Sequence, residues 1–275
     1  MRFNFSLGIF LIFLLVPLVS YSAEEKASST TMVAPVQKEK EYDGLWFCGF
    51  NFQKALFTGE RGKLVRQAFN YAIPRAGICQ KLIGDTMVPS GVIPPKMPGY
   101  DSATKGYSYD LKKAKMLMQQ AGYTPSDKIL KQIVLLHTDG EKTVQIAKHM
   151  EKDLKQLGIK LIRRQISYAD TGEWEKELSK HRFHLYLMGY KAEDTENPLS
   201  LIKPLFSGEG DANIGGYQND KIDFLVFQIE KTVDKIEKTK KLEELNRLLI
   251  ADPPTINFFY IMKLPDLPKE LLEDS

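Results

Sequence analysis

This 275-residue sequence has few cysteines, no dominant charge sign and no long hydrophobic run. Lys and Arg total 38 against 35 Asp and Glu, a net charge of +3. Nucleic-acid binding needs a concentrated basic face, and so even a balance gives no ground for one. The two cysteines, Cys48 and Cys79, belong to neither a CxxC pair nor a zinc-ligand spacing. The sequence contains no GxSxG, HExxH or P-loop motif, and its carboxylates are scattered without a recognisable acid/base pair. An enzyme, a metal centre or a cofactor is therefore not expected. What is present is ordinary: 43% hydrophobic and 27% charged residues, with 19 Gly and 14 Pro. That mix describes a folded globular chain and excludes a disordered or collagen-like one.

The N-terminus points to export. After Arg2, the longest apolar stretch is the 12-residue run Gly8 to Val19, short of the roughly 20 residues needed to cross a bilayer. A basic start, a short apolar centre and the small residues Ser20 and Ser22 have the form of a cleavable signal peptide over residues 1–22. The alternative is a membrane anchor built on residues 8–19. The expected location is periplasmic or secreted. Residues 23–43 are rich in Ser, Thr, Lys and Glu and predict a flexible tether. In an oxidising compartment Cys48 and Cys79, 31 residues apart, can pair and contribute about 3 to 4 kcal/mol in the chain-entropy picture. Their apolar surroundings equally suit two buried thiols.

From Gly44 onward, helices and strands alternate. The aromatic run LWFCGFNF predicts a buried strand. Leu64, Val65, Ala68, Phe69, Ala72 and Ile73 recur at helical spacing and predict a helix over Lys63 to Arg75, closed by Pro74. Four prolines in Val88 to Tyr100 predict an extended loop. Asp110 caps a helix whose Ala114, Leu117, Met118 and Ala121 face inward, with Gly122 as its stop. A strand over Ile129 to Leu136, a helix over Glu141 to Leu157 and an alternating strand over Ile159 to Ile166 predict a parallel β-α-β unit. A short helix around Trp174 and a strand from Phe183 to Gly189 follow. Asn219 and Asp234 start two further helices, and Ile256 to Met262 is a last strand. The class is α/β.

Several segments in this order resemble extracellular solute-binding proteins of family 5, the peptide/nickel type that serves ABC importers. They are Asn51 to Arg75 (NFQKALFTGERGKLVRQAFNYAIPR), Tyr109 to Tyr123 (YDLKKAKMLMQQAGY) after the MPGY ending at Tyr100, Gln156 to Leu161 (QLGIKL), Gly189 to Pro198 (GYKAEDTENP) and Asn213 to Asp223 (NIGGYQNDKID). The resemblance covers residues 44–263 and implies a periplasmic-binding-protein-like C-terminal lobe, a mixed sheet flanked by helices. The family's N-terminal lobe has no counterpart here, and residues 264–275 form a short acidic tail. It also implies an exported component that delivers peptides or similar solutes to ABC permease subunits. The alternative is a half-protein that docks a partner, such as a separate first-lobe chain, or a remnant that binds no solute by itself.

In the same terms, Asp194 matches the acid that in the family's peptide binders accepts the peptide ammonium. The alignment needs a one-residue insertion, so Glu193 or Asp194 takes that place. Tyr190 stands where the family often has Trp and would form an apolar wall. Pro74 replaces an Asp of the family pattern. Among the remaining candidates, Arg66 reads as a structural ion-pair former and Asn51 as a structural hydrogen-bonder. Trp46 and Trp174 read as core. His181 and His184, three apart at a strand start, point to opposite faces and do not suit a shared metal.

Overall fold

A computed structural model of the chain describes residues 40–84 and 87–263. The expected signal peptide, residues 23–39 of the tether and the tail 264–275 lie outside the described residues. The strand β1 spans Tyr42–Phe50, so the last two residues assigned to the tether, Tyr42 and Asp43, belong to the sheet.

The architecture is α/β, a five-stranded mixed sheet with helices on both faces, in strand order β3-β2-β4-β1-β5. The other strands are β2 (Ile133–Thr138), β3 (Leu161–Ile166), β4 (Leu185–Lys191) and β5 (Thr255–Met262). β2 runs parallel to β3 and β4, and β1 runs antiparallel to both β4 and β5. The parallel β2–β3 pair is joined by the helix α4 (Glu141–Leu154), as the strand-helix-strand pattern predicts. Lys263 N–H donates to the Glu41 carbonyl, so the described chain enters and leaves side by side.

Alternation along β1 serves two cores. Cys48 and Phe50 face a cluster built with helix α1 (Gly59–Ala72), α3 (Leu111–Gln120) and α4. Leu45 and Phe47 face a second cluster built with α6 (Leu199–Phe206), α7 (Asp220–Lys231) and α8 (Lys235–Ala251). Period-2 exposure of one strand to two apolar layers accounts for the sandwich. Gly44 is required by a close approach, since a Cβ there would lie 2.3 Å from the Tyr190 carbonyl oxygen.

Local signals explain most boundaries. The Asp110, Asn219 and Asp234 side chains accept N–H groups in the first turns of α3, α7 and α8. Gly122 and Gly158 adopt φ of 76° and 80°, which only glycine reaches freely.

Some expectations shift. α1 runs from Gly59 to Ala72 rather than from Lys63 to Arg75, and Pro74 sits at the start of a further helix, α2 (Arg75–Ile83). The strand expected from Ile129 starts at Ile133, because Lys128–Lys131 form a 3-10 turn. β3 does not alternate, since Ile162 to Gln165 are all exposed on an edge strand. The helix α5 (Thr171–Ser179) carries Trp174, as expected. Both cysteines are free and buried, and Cys79 Sγ lies 2.8 Å from the Phe258 carbonyl oxygen.

The most polar knot in the scaffold centres on Arg66, which is 3% exposed. Its guanidinium meets Asp252 Oδ1 at 2.6 Å and donates to the Phe57 and Pro253 carbonyls. It also lies 4.8 Å from the Phe52 ring centroid. Asp252 Oδ2 accepts from Asn219 and from the Tyr217 hydroxyl at 3.2 and 3.3 Å. A buried charge is tolerated only when paired and fully hydrogen-bonded. Arg66→Ala leaves one carboxylate and two carbonyls without their donor. We expect a loss of about 3 kcal/mol, read as a lower urea midpoint at unchanged slope.

Candidate ligand-binding site

β4 carries Tyr190 and ends at Lys191, and the loop to α6 carries Glu193 and Asp194. The loop is pinned at its start, where Ala192 N–H donates to the Asp43 carbonyl at 2.6 Å and Lys191 pairs with Asp43 at 2.7 Å. It is pinned again through Ser200, whose hydroxyl lies 2.9 Å from the Asp194 carbonyl and 2.8 Å from the Asn197 carbonyl. The Asp194 side chain accepts Glu196 N–H through Oδ1 at 2.9 Å, so one of its oxygens closes its own turn. Oδ2 has no bonding partner among the described residues.

Tyr190 and Glu193 line an open cavity of about 580 Å³ between this loop, α6, the end of α7 and the start of α8. The structure brings these two predicted residues together in one cavity. Asp194, exposed on the same loop, does not line it. The cavity also takes Asn197, Lys203, Asp211 and Lys231, residues that sequence reasoning missed. Asn197 lies in the same segment as Glu193, whereas Lys203, Asp211 and Lys231 come from α6, the loop after it and α7, which no local motif marks as neighbours.

The Tyr190 ring packs against the second core. Burial, reinforced by the negative charges of Asp211 and Glu193, pushes its phenol up to about 12. It therefore remains a neutral hydrogen-bonding group at physiological pH. Lys203 is paired with Glu230 at 2.5 Å. The cavity thus combines carboxylates near a phenol with ammonium groups from α6 and α7, an arrangement suited to a ligand bearing both charges.

Other candidates take structural places. Asn51 donates to the Phe183 carbonyl at 2.8 Å and accepts Gln53 N–H at 2.9 Å, tying the end of β1 to the start of β4. Trp46 and Trp174 are half-buried against the two cores. Arg75 donates to the Asn257 and Tyr107 carbonyls, and Asn70 donates to the Thr255 carbonyl, which occupies acceptors on β5. Among the described residues, no group of three or more His, Cys, Asp or Glu is placed to hold a metal ion, and no helix is long and apolar enough to cross a membrane.

The family model of bacterial extracellular solute-binding proteins, family 5 (middle), matches residues 12–213. The chain belongs to that family. It is similar to the glutathione-binding protein GsiB of Escherichia coli K12, with 27% identity over 202 residues, covering 70% of this chain and 38% of GsiB. A peptide-binding protein AppA of Clostridium difficile superposes with a TM-score of 0.71 at 19% identity, over 82% of this chain and 45% of that one. Helicobacter pylori DppA, solved with the peptide STSA, gives 0.70 at 22% identity, over 82% and 43%. The chain thus spans about two-fifths of the length of the curated relatives it matches. The solved structures share the fold, a periplasmic-binding-protein lobe. In this family 5 chain, two of the resembling segments converge away from the loop: Arg66 from the first, and Tyr217 and Asn219 from the last, all contact Asp252.

The two histidines considered for metal binding are held neutral by the fold. Burial, with the nearby Lys54 charge, lowers His184 to about 4, and its Nδ1 accepts Val134 N–H at 3.2 Å. His137 and His181 are lowered too, chiefly by burial. Because the folded value lies below the unfolded one, the unfolded chain binds more protons across the interval between them. Stability is therefore intact above about pH 6.5 and falls as the pH drops toward 4. Urea unfolding from pH 7 to pH 4 should show this slope, and His184→Asn should reduce it.

Proposed function

We propose that this chain is an exported solute-binding lobe that serves an ABC importer of peptides or similar small solutes. The supporting observation is a pair of exposed carboxylates, Glu193 and Asp194, on a pinned loop beside the Tyr190 phenol. Carboxylates accept short charge-assisted hydrogen bonds from an ammonium group. Glu193 lines the cavity and takes the ligand's amine, and Asp194, outside the cavity on the same loop, adds negative charge through its available Oδ2. Tyr190 supplies the wall and a neutral hydroxyl. Lys231 stands in the same cavity for a carboxylate on the ligand, whereas Lys203 is engaged by Glu230. Permease subunits powered by ATP elsewhere would receive the solute, and no bond is made or broken on this chain.

The cavity is open, whereas sites that hold small ligands well enclose about 70–90% of the ligand surface. Binding by this lobe alone is therefore weak. A second reading, a half-protein completed by a separate first-lobe chain, draws on the adjacency of Glu41 and Lys263, which gives another lobe one place to join.

Calorimetry with short peptides tests the reading. A peptide with a free N-terminal amine should bind, and its N-acetylated form should bind at least about tenfold more weakly, the loss of roughly 1.4 kcal/mol. Glu193→Gln combined with Asp194→Asn, which keeps the Asp194 turn acceptor, should produce the same loss. Equal affinity for both peptides, or no effect of the double substitution, contradicts the assignment.

A further inference from the structure

The hairpin of α7 and α8 carries an apolar surface that neither core uses. Phe224 is 60% exposed, Phe227 55%, Val233 94% and Ile236 70%. α7 buries Ile222, Leu225, Val226 and Ile229, so Phe224 and Phe227, three apart, form a stripe on its outer face. Val233 lies in the turn after α7, and Ile236 lies in the first turn of α8. Four large apolar side chains within 13 residues are too concentrated to count as scattered surface hydrophobics.

The charges around this surface are unequally engaged. Asp223 accepts Gly208 N–H, Glu230 pairs with Lys203, Asp234 caps α8, and Glu237 pairs with Lys241. Lys231, Lys235 and Lys240 are exposed, and none has an acidic partner among the described residues. Lys231 Nζ lies 5.8 Å from the Phe227 ring centroid, an apolar ring flanked by an ammonium that can reach outward. The apolar residues sit on an outer helix face and the turn beyond it, with Lys231, Lys235 and Lys240 close to them along the chain. Exposed Phe and aliphatic groups with nearby lysines match the boundary of a bilayer that contains anionic lipid. The apolar groups enter the acyl region and the ammonium groups remain at the phosphates.

We infer that the α7–α8 hairpin is a membrane-surface contact, in which Phe227, Val233 and Ile236 insert shallowly into an anionic leaflet and Lys231, Lys235 and Lys240 meet its headgroups. This contact shares Lys231 with the proposed solute cavity, but Phe227, Val233, Ile236, Lys235 and Lys240 do not line that cavity.

A site-local readout tests it on the full chain. Cys48 and Cys79 are buried, so Val233→Cys supplies one exposed thiol for a polarity-sensitive dye. The exposed Lys112→Cys on α3 serves as a distant control. Both labelled proteins are mixed with vesicles of phosphatidylglycerol and phosphatidylcholine, and with vesicles of phosphatidylcholine alone. The dye at position 233 should shift to the blue and resist aqueous quenching with the anionic vesicles only, while the dye at 112 stays wet. Lys235→Glu combined with Lys240→Glu, neither of which lines the cavity, should weaken the response about tenfold or more. The inference is overturned if the dye at 233 stays in water with both vesicles, which leaves the patch to a protein partner. It is also overturned if neutral vesicles bury the dye equally, or if both positions respond alike.

Discussion

The buried pairing of Arg66 with Asp252 is the constraint on which the scaffold turns. It draws α1, the start of α7, and the junction of α8 with β5 to one point through direct hydrogen bonds. A guanidinium at 3% exposure tolerates no partial solution, so the carbonyls of Phe57 and Pro253 and the carboxylate of Asp252 must all be in place. Asn213 supports the same region by bonding Tyr217 N–H and its carbonyl. The first and last of the segments that make the sequence resemble its family therefore serve this knot, while the loop after β4 stands apart from it. That loop is held at Asp43 and at Ser200 but presents Glu193 and Asp194 to solvent. Scaffold and proposed binding surface are divided along the chain, and the division follows from which polar groups already have partners.

Much of the fold was legible because local chemistry and burial agreed. Ala114, Leu117, Met118 and Ala121 are all buried, as their spacing requires. Asp110, Asn219 and Asp234 act as caps, and Gly122 and Gly158 act as stops. The failures have equally local causes. α2 follows Pro74 with no side-chain cap, so nothing announces it. α6 contains Pro204, which reads as a helix breaker although the helix continues to Phe206. Lys128–Lys131 curl into a 3-10 turn because only Leu130 of that stretch is buried, which delays β2. Of the proposed site, Tyr190 and Glu193, which line the cavity, and Asp194, which does not, lie in one contiguous segment. Lys203, Asp211 and Lys231 join the cavity only through tertiary packing, and no pattern along the chain links them.

The position of β1 explains how such a lobe can stand as a folding unit. Flanked by β4 and β5, it lies inside the sheet and contributes to both apolar layers. Its start lies beside the end of β5 through the bond from Lys263 N–H to the Glu41 carbonyl. Both described ends therefore emerge from neighbouring strands and leave the rest of the sheet undisturbed. The cavity beside Tyr190 is open, which under the proposed function limits how tightly a small ligand is enclosed.

The most direct test of this division between scaffold and binding surface is an amide-resolved titration of the isotope-labelled chain with a short free-amine peptide. If the account is right, chemical-shift changes gather at Tyr190 to Asn197 and at Lys203, Asp211 and Lys231, while the amides around Arg66, Tyr217 and Asp252 stay unmoved. Changes centred on the Arg66 knot, or none near the loop at saturating peptide, would contradict it.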